Sequence, residues 1–136
     1  MRSSAGPYHP LVGVRACLAD PRRTAVARTT AAQMIAAHFG WDYGSAVAFA
    51  KEVVRGLTEE NFYRRTTMAD GTPADEYGVV RDGISWYVKL FITGSPPRLL
   101  IVSCHLPCSS RRRRGGHFRR TAATADGREC LRLADP

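Results

Sequence analysis

The segment Trp86–Leu90 constrains the fold most strongly, because large apolar residues alternate in it with polar ones. Side chains of an extended strand point alternately to the two faces of a sheet, so this period predicts a strand with one buried face. Tyr87 and Lys89 then lie together on the opposite face. The face predicted to join the core holds Trp86, Val88 and Leu90.

A second apolar segment, Leu99–His105, follows after a short turn and predicts the neighbouring strand. Strict alternation places Ser103 and His105 on one face, together with Leu99 and Ile101. The other face of this strand is predicted to hold Leu100, Val102 and Cys104. Because adjacent strands pair side by side, a tyrosine, a lysine, a serine and a histidine are expected to meet on one polar face. Folding alone rarely requires that set of side chains.

Two turn signals connect these two strands with each other and with an earlier predicted strand. Arg81-Asp82-Gly83 is typical of a tight hairpin turn, and it follows a predicted strand at Glu76–Val80. Thr93–Pro97 is predicted to form the next turn. The three strands therefore form an antiparallel meander.

Three segments before the meander carry apolar residues at helical spacing. Thr58-Glu59-Glu60 predicts one further helical start, because acidic residues suit the first turn of a helix, and Phe62 is expected to anchor that short element. The predicted boundary residues are Pro10 before the first helix, Thr29 or Thr30 and Gly40 around the second, and Asp42 and Gly56 around the third. The expected fold class is α+β, with N-terminal helices packed on one face of the meander and the other face left for a ligand.

The chain has 136 residues, of which 44% are hydrophobic, and this predicts one domain with a substantial core. We expect a disordered N-terminus at 1–7, a domain at 8–107 and a basic, disordered tail at 108–136. No run of residues approaches the ~20 apolar positions that span a bilayer, and the first residues lack the apolar stretch of a signal peptide. A cytoplasmic location without membrane contact is therefore expected.

The formal net charge of +8 is unevenly distributed along the chain. Residues 109–136 hold 8 of the 20 basic residues and only 3 of the 12 acidic ones, with four arginines in succession at 111–114. A basic tail of this kind can hold phosphates without sequence preference, and it can equally be a solvated appendage.

The four cysteines do not form a recognisable metal motif. Cys104, Cys108, His117 and Cys130 can be drawn as a zinc site, but their spacing is irregular and no paired C-x-x-C clusters occur. Free thiols are expected in the cytoplasm. We predict neither a metal nor another cofactor.

Four successive segments of this chain form a set of motifs: Leu57–Arg64, Ala74–Tyr77, Trp86–Leu90 and Ile101–His105. They resemble the motifs of the MqsR toxins, the motility quorum-sensing regulators, whose pattern is roughly L-x-x-x-x-F-Y-K, W-Q-D-V-Y, Y-[LV]-K-[LI] and V-S-F-[KH]. The resemblance covers about residues 8–107.

The resemblance implies a RelE-like ribonuclease fold and a type II toxin, an endoribonuclease that cleaves mRNA and is held inactive by a cognate antitoxin protein. The family's catalytic positions fall on Arg64, Ala74, Tyr87 and His105. Ala74 replaces a glutamine, so this chain lacks one polar group of the family pattern. The predicted candidates are His105, Tyr87 and Arg64 for catalysis, and Lys89, Tyr63, Arg65 and Tyr77 for substrate binding.

These residue types suit RNA cleavage without a metal. RNA carries its own nucleophile, the 2′-hydroxyl, so the protein needs a proton acceptor, charge stabilisation and a proton donor. The His105 imidazole is of the type that exchanges protons near neutral pH. Tyr87 can donate a hydrogen bond or a proton, while Arg64 and Lys89 can stabilise phosphate charge.

Other interpretations of the same residues stay open. His105 can simply occupy a strand end, Tyr87 and Tyr77 can be cross-strand packing, and Lys89 can be a solubilising charge. A non-catalytic nucleic-acid-binding regulator would use the helices near 30–40 and 43–56 as a helix-turn-helix, with Lys51 and Arg55 as basic contacts. A third alternative is a decayed toxin that binds only its antitoxin.

Overall fold

A computed structural model describes residues 6–107 together with the short segments 118–120 and 131–133. Within these residues the helices precede every strand of the main sheet except the short strand Thr24–Val26, and this confirms the predicted α+β class. None of the helices is long and apolar enough to cross a membrane. The helices are α1 (Leu11–Leu18), α2 (Gln33–Phe39) and α3 (Tyr43–Arg55), and the strands are β1 (Thr24–Val26), β2 (Phe62–Thr67), β3 (Pro73–Arg81), β4 (Ile84–Thr93), β5 (Arg98–His105), β6 (Phe118–Arg120) and β7 (Leu131–Leu133).

The main sheet has five strands in the order β1-β5-β4-β3-β2. The predicted meander is its centre, β3-β4-β5, and all of its neighbouring pairs are antiparallel. Two strands of this main sheet were not predicted. β1 pairs parallel to β5, and β2 pairs antiparallel to β3, so each lies at an edge of the sheet.

The segment after Thr58 differs from the prediction. Only a single 3₁₀ turn at Glu59–Asn61 is helical, capped reciprocally by Thr58 and Asn61, and Phe62 already begins β2. The acidic residues did mark a helical start. Pairing with β3 then imposes the extended conformation on the aromatic and β-branched residues that follow.

The second helix also begins differently. A π-helical turn at Arg28–Ala32 precedes α2, and its first residue follows Ala27, which provides no side-chain cap. The hydroxyl of Thr30 donates instead to the carbonyl oxygen of Val102 in β5. The predicted stop at Gly40 is confirmed, since this residue adopts the left-handed conformation with φ +73°. Asp42 caps α3 as predicted, accepting a hydrogen bond from the Ser45 amide at 2.7 Å.

The core lies between the helices and one face of the sheet. Trp86, Val88 and Leu90 of β4 are at most 1% exposed, so the predicted apolar face of this strand is confirmed. Phe39 and Phe49 pack against Trp86, with ring centroids 5.9 and 5.1 Å away, and thereby fix α2 and α3 on the sheet. Other core residues include Val14, Ile35, Ala50, Val54, Leu57, Leu99, Ile101 and Cys104.

A β-bulge in β5 corrects the predicted alternation. Lys89 pairs with Ser103 but Leu90 pairs with Ile101, so the register skips Val102. Leu99 and Ile101 consequently belong to the buried core with Cys104, and they do not share the face of His105. Strict alternation fails because the extra residue, Val102, moves the residues before it to the opposite face relative to the residues after it.

The predicted domain limits fall partly outside the described residues. Residues 1–5 of the predicted disordered N-terminus are not described, whereas the carbonyl oxygen of Gly6 accepts a hydrogen bond from Arg65. In the predicted tail, β6 and β7 pair antiparallel as a separate two-stranded sheet. The rest of the tail, with Cys108, His117 and Cys130, lies outside the described residues.

We expect Gly83→Ala to lower the free energy of unfolding by about 1 kcal/mol, because a left-handed backbone is costly for a residue with a Cβ atom. Gly83 has φ +79°, and a Cβ atom there would meet no atom within 4 Å, so the loss comes from the backbone alone. Urea unfolding measures it.

Asp82→Asn is the matched control, because Asp82 also has a positive φ, 54°, and asparagine tolerates that region well. Its stability should stay within about 0.5 kcal/mol of the wild type. Equal losses in the two variants would contradict the assigned turn.

Candidate functional site

The site lies on the sheet face opposite the helices, here called the polar face. Register across the sheet aligns two rows of side chains on it. One row holds Tyr87 beside His105, with Gly78 on the other side of Tyr87. The other row runs across four strands and holds Arg64, Glu76, Lys89 and Ser103.

Tyr87 and His105 are direct cross-strand partners, and their ring centroids are 5.2 Å apart. Both residues are nearly enclosed, with exposures of 4% and 6%. The bulge at Val102 is what returns His105 to the face of Tyr87 after Leu99 and Ile101 have entered the core.

The local backbone selects a tautomer for His105. Its Nδ1 atom lies 2.7 Å from the carbonyl oxygen of Leu106. A carbonyl oxygen only accepts hydrogen bonds, so in the neutral ring Nδ1 carries the proton and donates it. Nε2 is then the nitrogen with the lone pair, which is the arrangement required of a general base.

Arg64 and Glu76, which belong to the row with Lys89 and Ser103, form an ion pair. Arg64 Nε donates to Glu76 Oε1 at 2.8 Å, and the Glu76 side chain is only 1% exposed against 32% for Arg64. The Nη2 atom of Arg64 is buried and has no hydrogen-bond acceptor within the described part of the chain. The guanidinium thus has hydrogen-bonding capacity that no described residue satisfies.

Arg64 lies at some distance from His105. Three strand spacings separate β2 from β5, which corresponds to about 14 Å between the two backbones. The ion pair turns the guanidinium from β2 toward β3 and shortens this gap. Lys89 lies on β4 between them, half-buried and in register with both Glu76 and Ser103.

Tyr63 lies beside Arg64, whose guanidinium carbon is 5.3 Å from the centre of the Tyr63 ring. Burial raises the pKa of the Tyr63 hydroxyl, an effect that Arg64 opposes and Glu76 reinforces. The hydroxyl therefore stays protonated near neutral pH and acts as a hydrogen-bond donor. The register of β2 skips Tyr63 between Phe62 and Arg64, so a second bulge places it here.

The structure separates two predicted substrate contacts from the polar face. Tyr77 is fully buried in the core and packs edge-on against Phe62, with centroids 5.6 Å apart. Burial raises the pKa of its hydroxyl far above the ordinary value. Alternation is the reason, because the neighbouring Glu76 takes the polar face and Tyr77 must take the other.

Arg65 instead holds the N-terminal segment. Its Nε donates to the Gly6 carbonyl at 2.7 Å, and its guanidinium carbon lies 4.5 Å from the centre of the Tyr8 ring. Asp75, paired with Arg65 in the sheet, accepts from the amides of Tyr8 and His9 at 2.8 and 2.9 Å. Burial raises the pKa of Asp75, and these two hydrogen bonds oppose that rise.

Glu76 and Ser103 are not among the candidate site residues predicted from the sequence, although Ser103 is predicted on the polar face. Both complete the row there, and Glu76 pairs with Arg64. The signal for its position was present, since a buried carboxylate requires a cation and Arg64 lies on the strand that pairs with β3. That pairing was not predicted, because β2 itself was not predicted.

No group of three or more His, Cys, Asp or Glu side chains within the described residues is arranged to hold a metal ion. Of the four residues drawn above as a zinc site, only Cys104 is described, and it is fully buried in the core. Cys17 is a free, buried thiol as well.

Comparison with known proteins gave no relatives: no protein-family model, curated protein or solved structure matches the chain.

Replacing Arg64 by alanine should lower the free energy of unfolding by about 2–3 kcal/mol, because it removes the guanidinium that the buried Glu76 carboxylate contacts. Adding Glu76→Gln should recover part of this loss, since a neutral amide costs less to bury than a carboxylate. Urea unfolding of the two single variants and the double variant measures the coupling.

Arg55→Ala is the control, because Arg55 also pairs with a glutamate, Glu52, but at the surface. Its loss should stay below about 1 kcal/mol. A similar loss for Arg64→Ala and Arg55→Ala, with no recovery in the double variant, would show that burial does not strengthen the Arg64–Glu76 pair.

Burial raises the pKa of the Cys104 thiol to about 12. The thiolate is the reactive form, so Cys104 should remain unmodified when the folded protein is treated with iodoacetamide at about pH 8, where an ordinary exposed thiol reacts. Peptide mass spectrometry measures the labelling. Modification should appear after denaturation in urea, and rapid labelling of the folded protein would contradict the burial of this residue.

Proposed function

We propose that this chain is a type II toxin of the MqsR kind, a metal-independent endoribonuclease that cleaves mRNA and so inhibits translation. The observation that carries the proposal is the cross-strand pair of Tyr87 and His105, with ring centroids 5.2 Å apart on the sheet face that the helices leave uncovered. The motif resemblance names these two positions independently of their geometry. In this proposal the toxin acts in the cytoplasm and a cognate antitoxin protein inhibits it.

The reaction begins with the 2′-hydroxyl of the substrate. His105 Nε2 accepts the proton of this hydroxyl while its oxygen attacks the adjacent phosphorus. The new O2′–P bond forms as the bond from phosphorus to the 5′-oxygen of the next nucleotide breaks. The products are a 2′,3′-cyclic phosphate and a 5′-hydroxyl, the second of which takes up one proton.

Tyr87 is the group beside His105 that can supply this proton or a hydrogen bond to the phosphate. Tyr87 is the cross-strand partner of His105, and a separation of 5.2 Å between their ring centroids is short enough for the two side chains to act on one phosphodiester. Lys89 and Arg64 stabilise the extra negative charge of the phosphorane-like transition state. Arg64 acts as an electrostatic and hydrogen-bonding group only, because guanidinium does not give up its proton.

Tyr87 and His105 are nearly enclosed, with exposures of 4% and 6%, so an RNA has to displace what covers the pair before it contacts them. A water-poor site strengthens the interactions of Lys89 and Arg64 with phosphate once the substrate is bound.

The regulator alternative receives less support from the geometry. Recognition helices present polar side chains to a DNA groove. On α3, however, Ala46, Ala50, Val53 and Val54 are buried against the core, and Arg55 is paired with Glu52. Lys51 is then the remaining basic residue of this helix.

One observation favours a toxin that binds its antitoxin without cleaving RNA. Ala74 occupies the position of the family glutamine and is fully buried at the start of β3. Its methyl group offers no hydrogen bond to a substrate. Cleavage activity decides between this candidate and the proposed ribonuclease.

We expect the purified full chain to cut a long synthetic RNA in EDTA, and His105→Ala to slow the cleavage by about 10²- to 10⁴-fold, the usual contribution of general acid–base catalysis. Tyr87→Phe removes only the hydroxyl and should slow it less. Sequencing maps the cut sites, and end-group analysis should detect 2′,3′-cyclic phosphates and 5′-hydroxyls.

His9→Ala is the matched control, because His9 lies at the N-terminal segment and contacts Pro73 and Asp75 away from the polar face. It should cleave like the wild type. Absence of cleavage by the wild type, equal cleavage by His105→Ala, or 3′-hydroxyl and 5′-phosphate ends would each refute the proposed mechanism.

A further inference from the structure

A groove at the far end of the polar face is rimmed by three arginines. It has a volume of about 300 Å³ and lies across the neighbouring strands β1, β5 and β4. Its lining includes Arg22, Arg23, Arg98, Phe91 and Leu100. A second cavity of about 550 Å³ shares the three arginines and extends to the β4–β5 turn. Both together are called the arginine-rimmed groove.

The floor of this groove continues the face of the candidate site. Phe91 follows Lys89 by two residues and Tyr87 by four on β4, so alternation places the three side chains on one face. Leu100 is the cross-strand partner of Phe91, and Ala25 is in turn the partner of Leu100. Four residues of strand correspond to about 13 Å between Tyr87 and Phe91, which a few nucleotides can cover.

The arginines give the groove an excess of positive charge. Asp20 is its only acidic lining residue within the described chain, and it contacts Arg22 at 3.8 Å and Arg23 at 3.7 Å. These are exposed ion pairs, which are weak and exchange readily for other anions. Arg98 is exposed and makes no ion pair with any described residue.

We propose that the arginine-rimmed groove binds the nucleotides of a single-stranded RNA that flank the cleavage site. Arginine forks match phosphate oxygens, and an aromatic side chain on the floor gives a base a surface to stack on. Phe91 is half-buried, so part of its side chain stays accessible to a ligand. This proposal rests on the proposed function for the identity of the ligand, and it adds a binding site that the motif resemblance does not include.

The test measures binding and not cleavage, so it is independent of the ribonuclease assay. Full-length wild type and variants are titrated with 2′-O-methyl RNA, which lacks the nucleophile, as a dinucleotide and as a dodecanucleotide. The salt concentration is varied, and fluorescence anisotropy reports the affinity. The full chain is kept in every variant, so the basic residues at 109–136 contribute equally to all measurements.

The double variant Arg22→Gln, Arg98→Gln should weaken binding of the longer RNA and leave the dinucleotide, which is too short to extend from Tyr87 to the groove, unaffected. Each lost phosphate contact lowers the slope of log affinity against log salt by about 0.7 for a single strand, so the double variant should lose about 1.4. Phe91→Leu should weaken the longer RNA by roughly 5- to 10-fold and leave the salt slope unchanged, because stacking involves no counterion.

Lys51→Gln with Arg55→Gln is the control, because it removes the same charge from α3, on the other side of the sheet. It should bind both RNAs like the wild type. The proposal is overturned by an equal loss in this control, by an equal loss for both RNA lengths, or by wild-type binding that does not increase with length. Competition by polyglutamate as strong as by RNA would also overturn it, and would assign the groove to an acidic protein partner.

The cleavage and binding assays together distinguish failure of the groove proposal from failure of the proposed ribonuclease mechanism. Cleavage that depends on His105, together with unchanged binding in the arginine double variant, would refute the groove alone. Length-dependent binding through the groove without any cleavage would retain the groove as an RNA site and refute the catalytic mechanism.

Discussion

The burial of one face of β4 is the constraint on which the rest of this structure depends. Trp86, Val88 and Leu90 are enclosed between the sheet and the helices, and the rings of Phe39 and Phe49 pack on Trp86. A strand cannot bury one set of side chains without committing the alternate set to the other face. The polar face of Tyr87, Lys89 and Phe91 is therefore a consequence of the core.

The bulge at Val102 reconciles two requirements that strict alternation cannot meet together. Leu99 and Ile101 fill the core near α1, while His105 must share a face with Tyr87 to make the cross-strand pair. With no extra residue, His105 would lie on the face of Leu99. The one skipped residue thus lets the same strand fill the core with Leu99 and Ile101 and still pair His105 with Tyr87. β-Bulges commonly re-aim side chains in this way.

Charged side chains continue the polar face toward both edges of the sheet. Toward β2, Arg64 offsets the buried charge of Glu76 and retains a donor that no described residue satisfies. Toward β1, the exposed arginines of the groove surround Phe91 and Leu100. The described cations on this face therefore extend across the sheet toward β2 and along it toward the groove.

The sequence by itself determined the elements whose signals are local. The alternation of Trp86–Leu90, the turn at Asp82 and Gly83, the stop at Gly40 and the cap at Asp42 each reflect a backbone or solvation preference of a few adjacent residues. Only the tertiary structure decided the edge strands β1 and β2, the bulge at Val102, the burial of Tyr77 and the contact of Arg65 with Gly6. These depend on which distant segments pair and on how the core fills, because a short segment adopts whichever conformation satisfies its hydrogen bonds and buries its apolar surface.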